Sequence, residues 1–369
     1  MVKIGLIGDL HFANHKRFGE PTGHAGVNTR LSTITDVCRW AGEIFEQENV
    51  SCVYVLGDVT HHHGMLTPPV ASRVVPGLYS LFNGDMSLVV MSGNHDIDAN
   101  GRSIIPYIRI QGDDVTMMDS WYSIYKHFEG VNIWAVSYGE NPLEVFRKMQ
   151  SNSLKKMTPA VVLLHHHIEG AVHGSHEFEP PGGIKLSDIP SGCLVFSGHY
   201  HKRQKLGKAI QYIGAPLQHD FGEADYIPGI TVLTLDDGKV AEEKFIETPQ
   251  TVAPRFHIIP HDTKVADLPG VVDEDYYRID LPTDVDPTII HPLQQVLKHV
   301  LVKPIPIDAQ TRSRVSQYIV DITGEELNLV SLDDVIDTYA HMNIEDSDQA
   351  ESLAEQGKQL LKDALGGSS

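Results

Sequence analysis

Short apolar runs rich in β-branched residues recur through the first 245 residues, and each ends in a polar or glycine-containing turn. They read VKIGLIG, CVYVLG, SLVVMSG, VNIWAVSYG, AVVLLH, CLVFSG, IQYIGAP and ITVLTL. Continuous runs of this length, without polar alternation, predict strands buried on both faces. Helical spacing lies between some of them. Residues 29–47 place Leu31, Ile34, Val37 or Cys38, Ala41, Ile44 and Phe45 on one stripe. Asn141, followed by Pro142 at a first helical position, opens a helix through LEVFRKM. The pattern predicts an α/β protein with sheets covered by helices.

The character changes after residue 245. The stretch IETPQTVAPRFHIIP, with its prolines and polar residues, predicts a linker. A strand-like YYRIDLP, a helix-like TIIHPLQQVLKHVL and a strand-like KPIPID follow, which together predict a small α/β module. From Asp321 to Glu351 the chain has ten acidic residues and no Lys or Arg, and residues 331–341 and 347–364 have the spacing of amphipathic helices. The expected organisation is a main domain over 1–250, a module over 256–324 and an acidic helical segment over 325–369.

Composition narrows the class. Hydrophobic residues make up 41% and charged residues 21%, as expected of a protein with a buried core. No apolar run approaches the roughly 20 residues a membrane span requires, and the opening MVKIGLIGDL turns polar too soon for a signal peptide. Cys38, Cys52 and Cys193 are odd in number and form no CxxC pair, which predicts reduced thiols in a cytoplasmic protein. A net charge of -20 argues against nucleic acid as a partner. The charge is uneven, however. Residues 262–369 hold 21 acidic and 8 basic side chains, so the objection weakens for the front of the chain.

The ends of the apolar runs carry the chemistry. They deliver Asp9-Leu10-His11, Gly57-Asp58, Gly93-Asn94-His95-Asp96, His165 and Gly198-His199-Tyr200-His201. In open α/β sheets, ligands gather beyond the carboxyl ends of strands, so these groups can meet in space. Two aspartates, an asparagine and several imidazoles form a mixed oxygen and nitrogen shell suited to Mn²⁺, Fe or Zn rather than Ca²⁺ or Mg²⁺. In DxH and GHxH the ligand-type residues stand two apart and point the same way on an extended segment. Asp58 has no such partner and can bridge two ions. Two ions roughly 3.5–4 Å apart can activate a bridging water and clamp both oxygens of an in-line phosphoryl displacement.

DxH, GD, GNHD, VxxH (Val162 to His165) and GHxH, in that order, resemble the motifs of the calcineurin-like metallophosphoesterase superfamily over residues 1–240. The resemblance implies a two-sheet β-sandwich flanked by helices, with a small α/β capping domain and C-terminal helices. It implies that Asp9, His11 and His201 hold one metal and Asn94, His165 and His199 the other, with Asp58 between them. It makes His95 the acid that assists the leaving oxygen, with Asp96 orienting its ring. After the fourth motif strand His166 competes with His165. GDxxH puts His61 where nucleases of the SbcD and meiotic-recombination-eleven type carry a second active-site histidine. His62 and His63 read as solvated loop residues.

Several features bear on substrate. Protein phosphatases continue GD as VDRG and use GNHE, whereas this chain has VTHH and GNHD. Residues 212–239, with YIGAP and FGE, resemble the segment that closes the phosphoesterase domain of SbcD-type nucleases, with Ala215 where serine is common. Two divalent ions outweigh two aspartates and leave the site locally positive. Beside it, KRQKLGK offers Lys202 and Arg203 to a phosphate backbone, with Lys205 and Lys208 as solvated loop residues.

The resemblance thus implies a DNA phosphodiesterase, exonuclease and endonuclease, with two divalent metal ions, Mn²⁺ being the metal expected. It further implies a homodimer and an SbcC-type ABC ATPase partner with a coiled coil, docked by the acidic helices. The stripe Leu332, Val335, Ile336 and Tyr339 reads equally as a packed surface helix. Two alternatives stand beside this reading: a nucleotide or small-molecule phosphodiesterase on the same site, and a non-enzymatic subunit docked on the ATPase.

Overall fold

The computed structural model describes residues 1–305 apart from 25, 84, 111, 113, 151–159, 173–182, 269–273 and 283–284. Each of the eight apolar runs is a strand. In chain order the strands are β1 (Val2–Ile7), β2 (Val50–Val55), β3 (Ser87–Val90), β4 (Val115–Met117), β5 (Ser123–Phe128), β6 (Val131–Val136), β7 (Ala160–Leu164), β8 (Leu194–Ser197), β9 (Gln204–Leu206), β10 (Ile210–Tyr212), β11 (Gly229–Asp236) and β12 (Lys239–Glu247). One sheet runs β12-β11-β1-β2-β3-β4 and a second runs β5-β6-β7-β8-β10-β9. β1 to β4 are parallel, as are β6, β7, β8 and β10.

The sheets lie face to face. Ile4, Leu6, Cys52 and Tyr54 of the first pack on Ile133, Val161, Leu163 and Phe196 of the second. The other face of the first sheet is covered by α1 (Thr29–Gln47) and α2 (Pro68–Tyr79), through Ile34, Val37, Phe45, Val70, Val74 and Leu78. α3 (Pro142–Gln150) covers the outer face of the second sheet with Val145, Phe146 and Met149. Central strands are therefore buried on both faces, and each fully buried Leu, Val or Phe contributes roughly 1.5–3 kcal/mol. The helix starts follow local chemistry. The Asn28 carboxamide accepts from the Leu31 N–H at 3.0 Å, and Asn141 accepts from the Leu143 N–H at 3.0 Å.

A third sheet, β13 (Phe256–Pro260), β14 (Tyr276–Pro282) and β15 (His299–Ile305), follows in that order, with α4 (His291–Val296) beside it. Two expectations change here. The expected linker contains β13, which pairs in parallel with β14. The expected helix over 288–301 stops at Val296, and from His299 the chain joins the sheet as β15. Ile290, Leu293 and Leu297 still pack beneath Ile279 and Leu281, so the helical stripe is used where the helix exists.

Met1–Leu281 and Val285–Pro304 form one compact unit. Within it, Phe221, Phe256 and Tyr276 cluster, and the Arg30 guanidinium lies 5.0 Å from the Phe256 ring and 5.1 Å from the Tyr276 ring. Arg30 also donates to the His219 carbonyl at 2.8 Å. The small sheet is thereby tied to a loop that reaches the site described below. A second unit, Pro282–Asp284 with Ile305–Ser369, lies almost wholly outside the described residues, as do the acidic helices expected over 331–341 and 347–364. No helix among the described residues is long and apolar enough to cross a membrane. All three cysteines are buried and free.

Candidate metal centre

Because β1, β2 and β3 are parallel, as are β7 and β8, the loops leaving their carboxyl ends meet along one edge of the sandwich. Donor atoms of Asp9, His11 and His201 all lie within 4.8 Å of one another, and so do those of Asp58, His165 and His199. Asn94 completes the second group, its Oδ1 lying 3.1 Å from His165 Nε2 and 2.9 Å from His199 Nδ1. Asp58 stands between them. Its Oδ2 is 3.4 Å from His11 Nε2, and its Oδ1 is 3.3 Å from His165 Nε2. The seven expected ligands are thus brought together in two groups, with one carboxylate facing both. His166 turns away from them and stacks on Tyr138.

Backbone geometry is spent on this arrangement. Asp9, His11, Asp58 and His199 have φ of 53°, 47°, 49° and 86°. Such left-handed conformations cost on the order of 1–3 kcal/mol each for residues other than glycine and persist only where neighbours over-determine them. Here the Asp9 N–H donates to the Gly57 carbonyl at 3.0 Å and the His11 N–H to the Asp58 carbonyl at 2.9 Å. Gly93 is required by contact, since a Cβ there would stand 2.2 Å from Asp58 Oδ1.

The donor set fits divalent cations. Asp9 Oδ1 accepts from the His199 N–H at 2.9 Å, but its Oδ2 is buried without a hydrogen-bond partner, which is costly unless something positive meets it. Burial alone would lower the pKa values of His165 and His201. Asp58 and Asp9 outweigh it at His165, pushing it up to about 9, and Glu223 with the same two aspartates pushes His201 up to about 10. The buried carboxylates thus hold a proton on each of these two imidazoles, positive charge that bound cations would supply in its place. Burial and neighbouring imidazoles hold His11 and His199 well below the usual histidine range, so both rings stay in the neutral, ligating form.

Outer contacts set the tautomers. His165 Nδ1 donates to the Leu56 carbonyl at 2.6 Å, which directs its Nε2 lone pair to the site. His201 Nδ1 meets Glu223 Oε1 at 2.5 Å, while Glu223 Oε2 accepts from the His219 N–H at 2.8 Å. Glu223, in the FGE turn, was not legible as part of the site. Nor was His219, whose Nε2 donates to the Asp9 carbonyl at 3.0 Å. Glu223→Gln keeps the size and removes the charge, and it should weaken metal affinity or activity about 10–100-fold. Metal titration beside an assay of hydrolysis checks this, and wild-type values for both would leave Glu223 no role here.

Three expectations are corrected by the geometry. Asp96 does not touch the His95 ring. Its carboxylate accepts from the N–H groups of Val59 (3.2 Å), Thr60 (2.8 Å) and Gly93 (2.9 Å) and from Thr60 Oγ1 (3.0 Å), bracing the Asp58 loop against the Asn94 loop. Those otherwise unpaired donors draw the short side chain inward, and His95 Nδ1 instead donates to the His61 carbonyl at 2.7 Å. His63 is exposed but not merely solvated. The His95 ring stacks between His63 (4.5 Å, 21°) and His61 (5.5 Å, 13°). His61 Nδ1 also lies 3.2 Å from His11 Nδ1. Arg203, finally, is not set out towards a phosphate. Glu243 pairs with its Nη2, Thr231 Oγ1 accepts from its Nη1 at 3.0 Å, and the Phe245 ring lies 4.5 Å beneath it. Lys202 Nζ stands 5.8 Å from the Tyr226 ring.

A sandwich whose two sheets deliver paired donor groups to one edge around a shared carboxylate has the architecture of a binuclear metal centre. The family follows from the sequence match: the chain belongs to the calcineurin-like phosphoesterases, whose family model matches residues 2–203. Among solved structures it is similar to purple acid phosphatase PPD1 from yellow lupin seeds, at 12% identity and a TM-score of 0.40, over 67% of this chain and 53% of that one. The chain thus spans about half the length of the lupin enzyme. A dimetal phosphatase from Danio rerio matches at 14% identity and a TM-score of 0.40, over 67% of this chain and 99% of that one. GAP50 of the Plasmodium inner membrane complex matches at 14% identity and a TM-score of 0.36, over 67% and 88% of the two chains. No curated protein sequence matches the chain.

Proposed function

We propose that the chain is a two-metal DNA phosphodiesterase, the SbcD-type exonuclease and endonuclease subunit of a nuclease–ATPase complex acting on DNA ends in repair or recombination. The observation that carries this reading is His61. It lies against His11, expected to hold the first metal, and stacks on His95, so two imidazoles stand together beside the candidate metal centre. Bound divalent cations, with Mn²⁺ the expected metal, supply Lewis acidity towards the phosphoryl oxygens and a lowered pKa for water. The chain's own residues do the rest. Asp58 fixes the two donor groups at one spacing. His95 donates its Nδ1–H to the His61 carbonyl, so the acid would be the imidazolium, whose second proton, on Nε2, would pass to the departing oxygen. The same reading assigns a second copy of the chain and an SbcC-type coiled-coil ATPase as partners, the latter met by the acidic segment 325–369.

One observation favours a nucleotide or small-molecule phosphodiesterase instead. Arg203, expected to meet a DNA backbone, is engaged by Glu243 in a chain of net charge -20. A labelled duplex incubated with Mn²⁺, alone and with an SbcC-like ATPase plus ATP, separates the two readings. Cleavage that EDTA abolishes is expected. Intact DNA beside rapid hydrolysis of a nucleotide would transfer the assignment to the second reading. Bis-p-nitrophenyl phosphate would not discriminate, since either enzyme could turn it over.

A further inference from the structure

Tyr138 has no part in the donor set, yet it stands at its rim. It follows β6 by two residues, and its N–H donates to the Ser92 carbonyl at 2.9 Å, just before the Gly93-Asn94-His95 turn. Its ring lies parallel to that of His166, 5.2 Å away at 18°. The same ring is 6.3 Å from His165 and 6.3 Å from His199, two of the ligands in the second donor group. Whereas Tyr54 and Tyr212 are fully buried, Tyr138 keeps 38% of its surface exposed.

The stack has a firm base. The His166 N–H donates to Ser197 Oγ at 3.3 Å, and its carbonyl accepts from the buried Tyr212 hydroxyl at 2.8 Å. The adjoining turn, joined by a hydrogen bond from the Ser137 N–H to the Tyr122 carbonyl, carries two more exposed aromatic side chains, Trp121 and Tyr122. Exposed aromatic rings beside a groove that handles phosphates are the usual means of holding bases without reading their sequence.

We propose that Tyr138, backed by His166, is a stacking platform for the nucleobase one sugar away from the phosphate held at the second donor group. This rests on the phosphodiesterase reading above and names the part of the substrate that the metal centre leaves unrecognised. A nucleotide carries its base at one sugar's remove from its phosphate. The Tyr138 ring stands one ring beyond the second donor group, its centroid 6.3 Å from those of His165 and His199. The stack is sequence-tolerant, because every base offers a π-face.

The test uses the full chain with Mn²⁺ and two single-stranded oligonucleotides of one sequence, the second carrying an abasic residue beside the scissile phosphate. Tyr138→Ala should raise KM for the base-bearing strand roughly 5–100-fold and leave kcat near wild type. It should add nothing to the weaker binding of the abasic strand. Tyr138→Phe should behave as wild type, since the ring and not the hydroxyl acts. Equal losses on both strands would make Tyr138 a mere support for His165 and His199, and no loss on either would remove it from the site. A Phe variant as poor as the Ala variant would also overturn the proposal. If the wild-type chain cleaves no DNA, the same variants are compared on a cyclic nucleotide and on the corresponding base-free cyclic sugar phosphate. Failure of the nuclease reading then leaves the platform testable by itself.

Discussion

Asp58→Ala is expected to release both cations and to abolish hydrolysis. The carboxylate faces His11 Nε2 through Oδ2 and His165 Nε2 through Oδ1, so it reaches a ligand of each donor group. Bound cations supply several kcal/mol of transition-state stabilisation, and each factor of ten in rate is about 1.4 kcal/mol, so the loss should exceed roughly 10³-fold. Asp58 also accepts from the His95 N–H at 2.9 Å, and its deletion disturbs that turn as well. Asp58→Asn keeps an acceptor for that N–H while removing the charge. It should therefore fold as wild type and still bind less than its full complement of metal. Metal analysis after dialysis, with circular dichroism on both variants, reads the two effects apart. Two tightly held ions in Asp58→Ala would end the bridging assignment.

That carboxylate was legible because of where it falls. Interior strands of a sandwich are buried on both faces and read as unbroken apolar runs, so each run's end marks a point where the chain emerges at the sheet's edge. The eight runs are the interior strands β1, β2, β3, β6, β7, β8, β10 and β11. The strands that left no such run, β4, β5, β9 and β12, are the four outermost strands of the two sheets. Each has one neighbour, and β5 and β12 show the mixed exposure this permits in residues such as Lys126 and Glu242. Since the ligands follow interior strands, the site was easier to read than the sheet margins.

What surrounds the ligands was harder to read, because it depends on contacts distant in sequence or on backbone turns. Glu223 meets His201 across 22 residues, and His219 meets the Asp9 carbonyl across 210. Adjacency misled in the other direction. Asp96 follows His95 but turns to the N–H groups of Val59 and Thr60, and His63, at φ 28°, folds back on His95 from 32 positions earlier.

His95→Asn should lower DNA cleavage by roughly 10²–10⁴-fold, the usual contribution of a positioned acid, while metal content stays at the wild-type level. His95 reaches the site from the Asn94 turn but lies outside both main donor groups, so its loss leaves their ligands in place. The substrate dependence is more telling than the size. DNA departs as an alkoxide and needs a proton, whereas bis-p-nitrophenyl phosphate releases a stable phenolate that needs none. If His95 donates the proton, the variant's loss on the nitrophenyl ester should be far smaller than its loss on DNA. His95 also joins His11 and His61 in a third group of donor atoms within 4.8 Å, so a ligating role makes a different forecast. In that case metal content falls, and both substrates suffer alike. Parallel losses with depleted metal would reassign His95 from acid to ligand, and the His61 carbonyl that holds its Nδ1 would then orient a metal-binding ring.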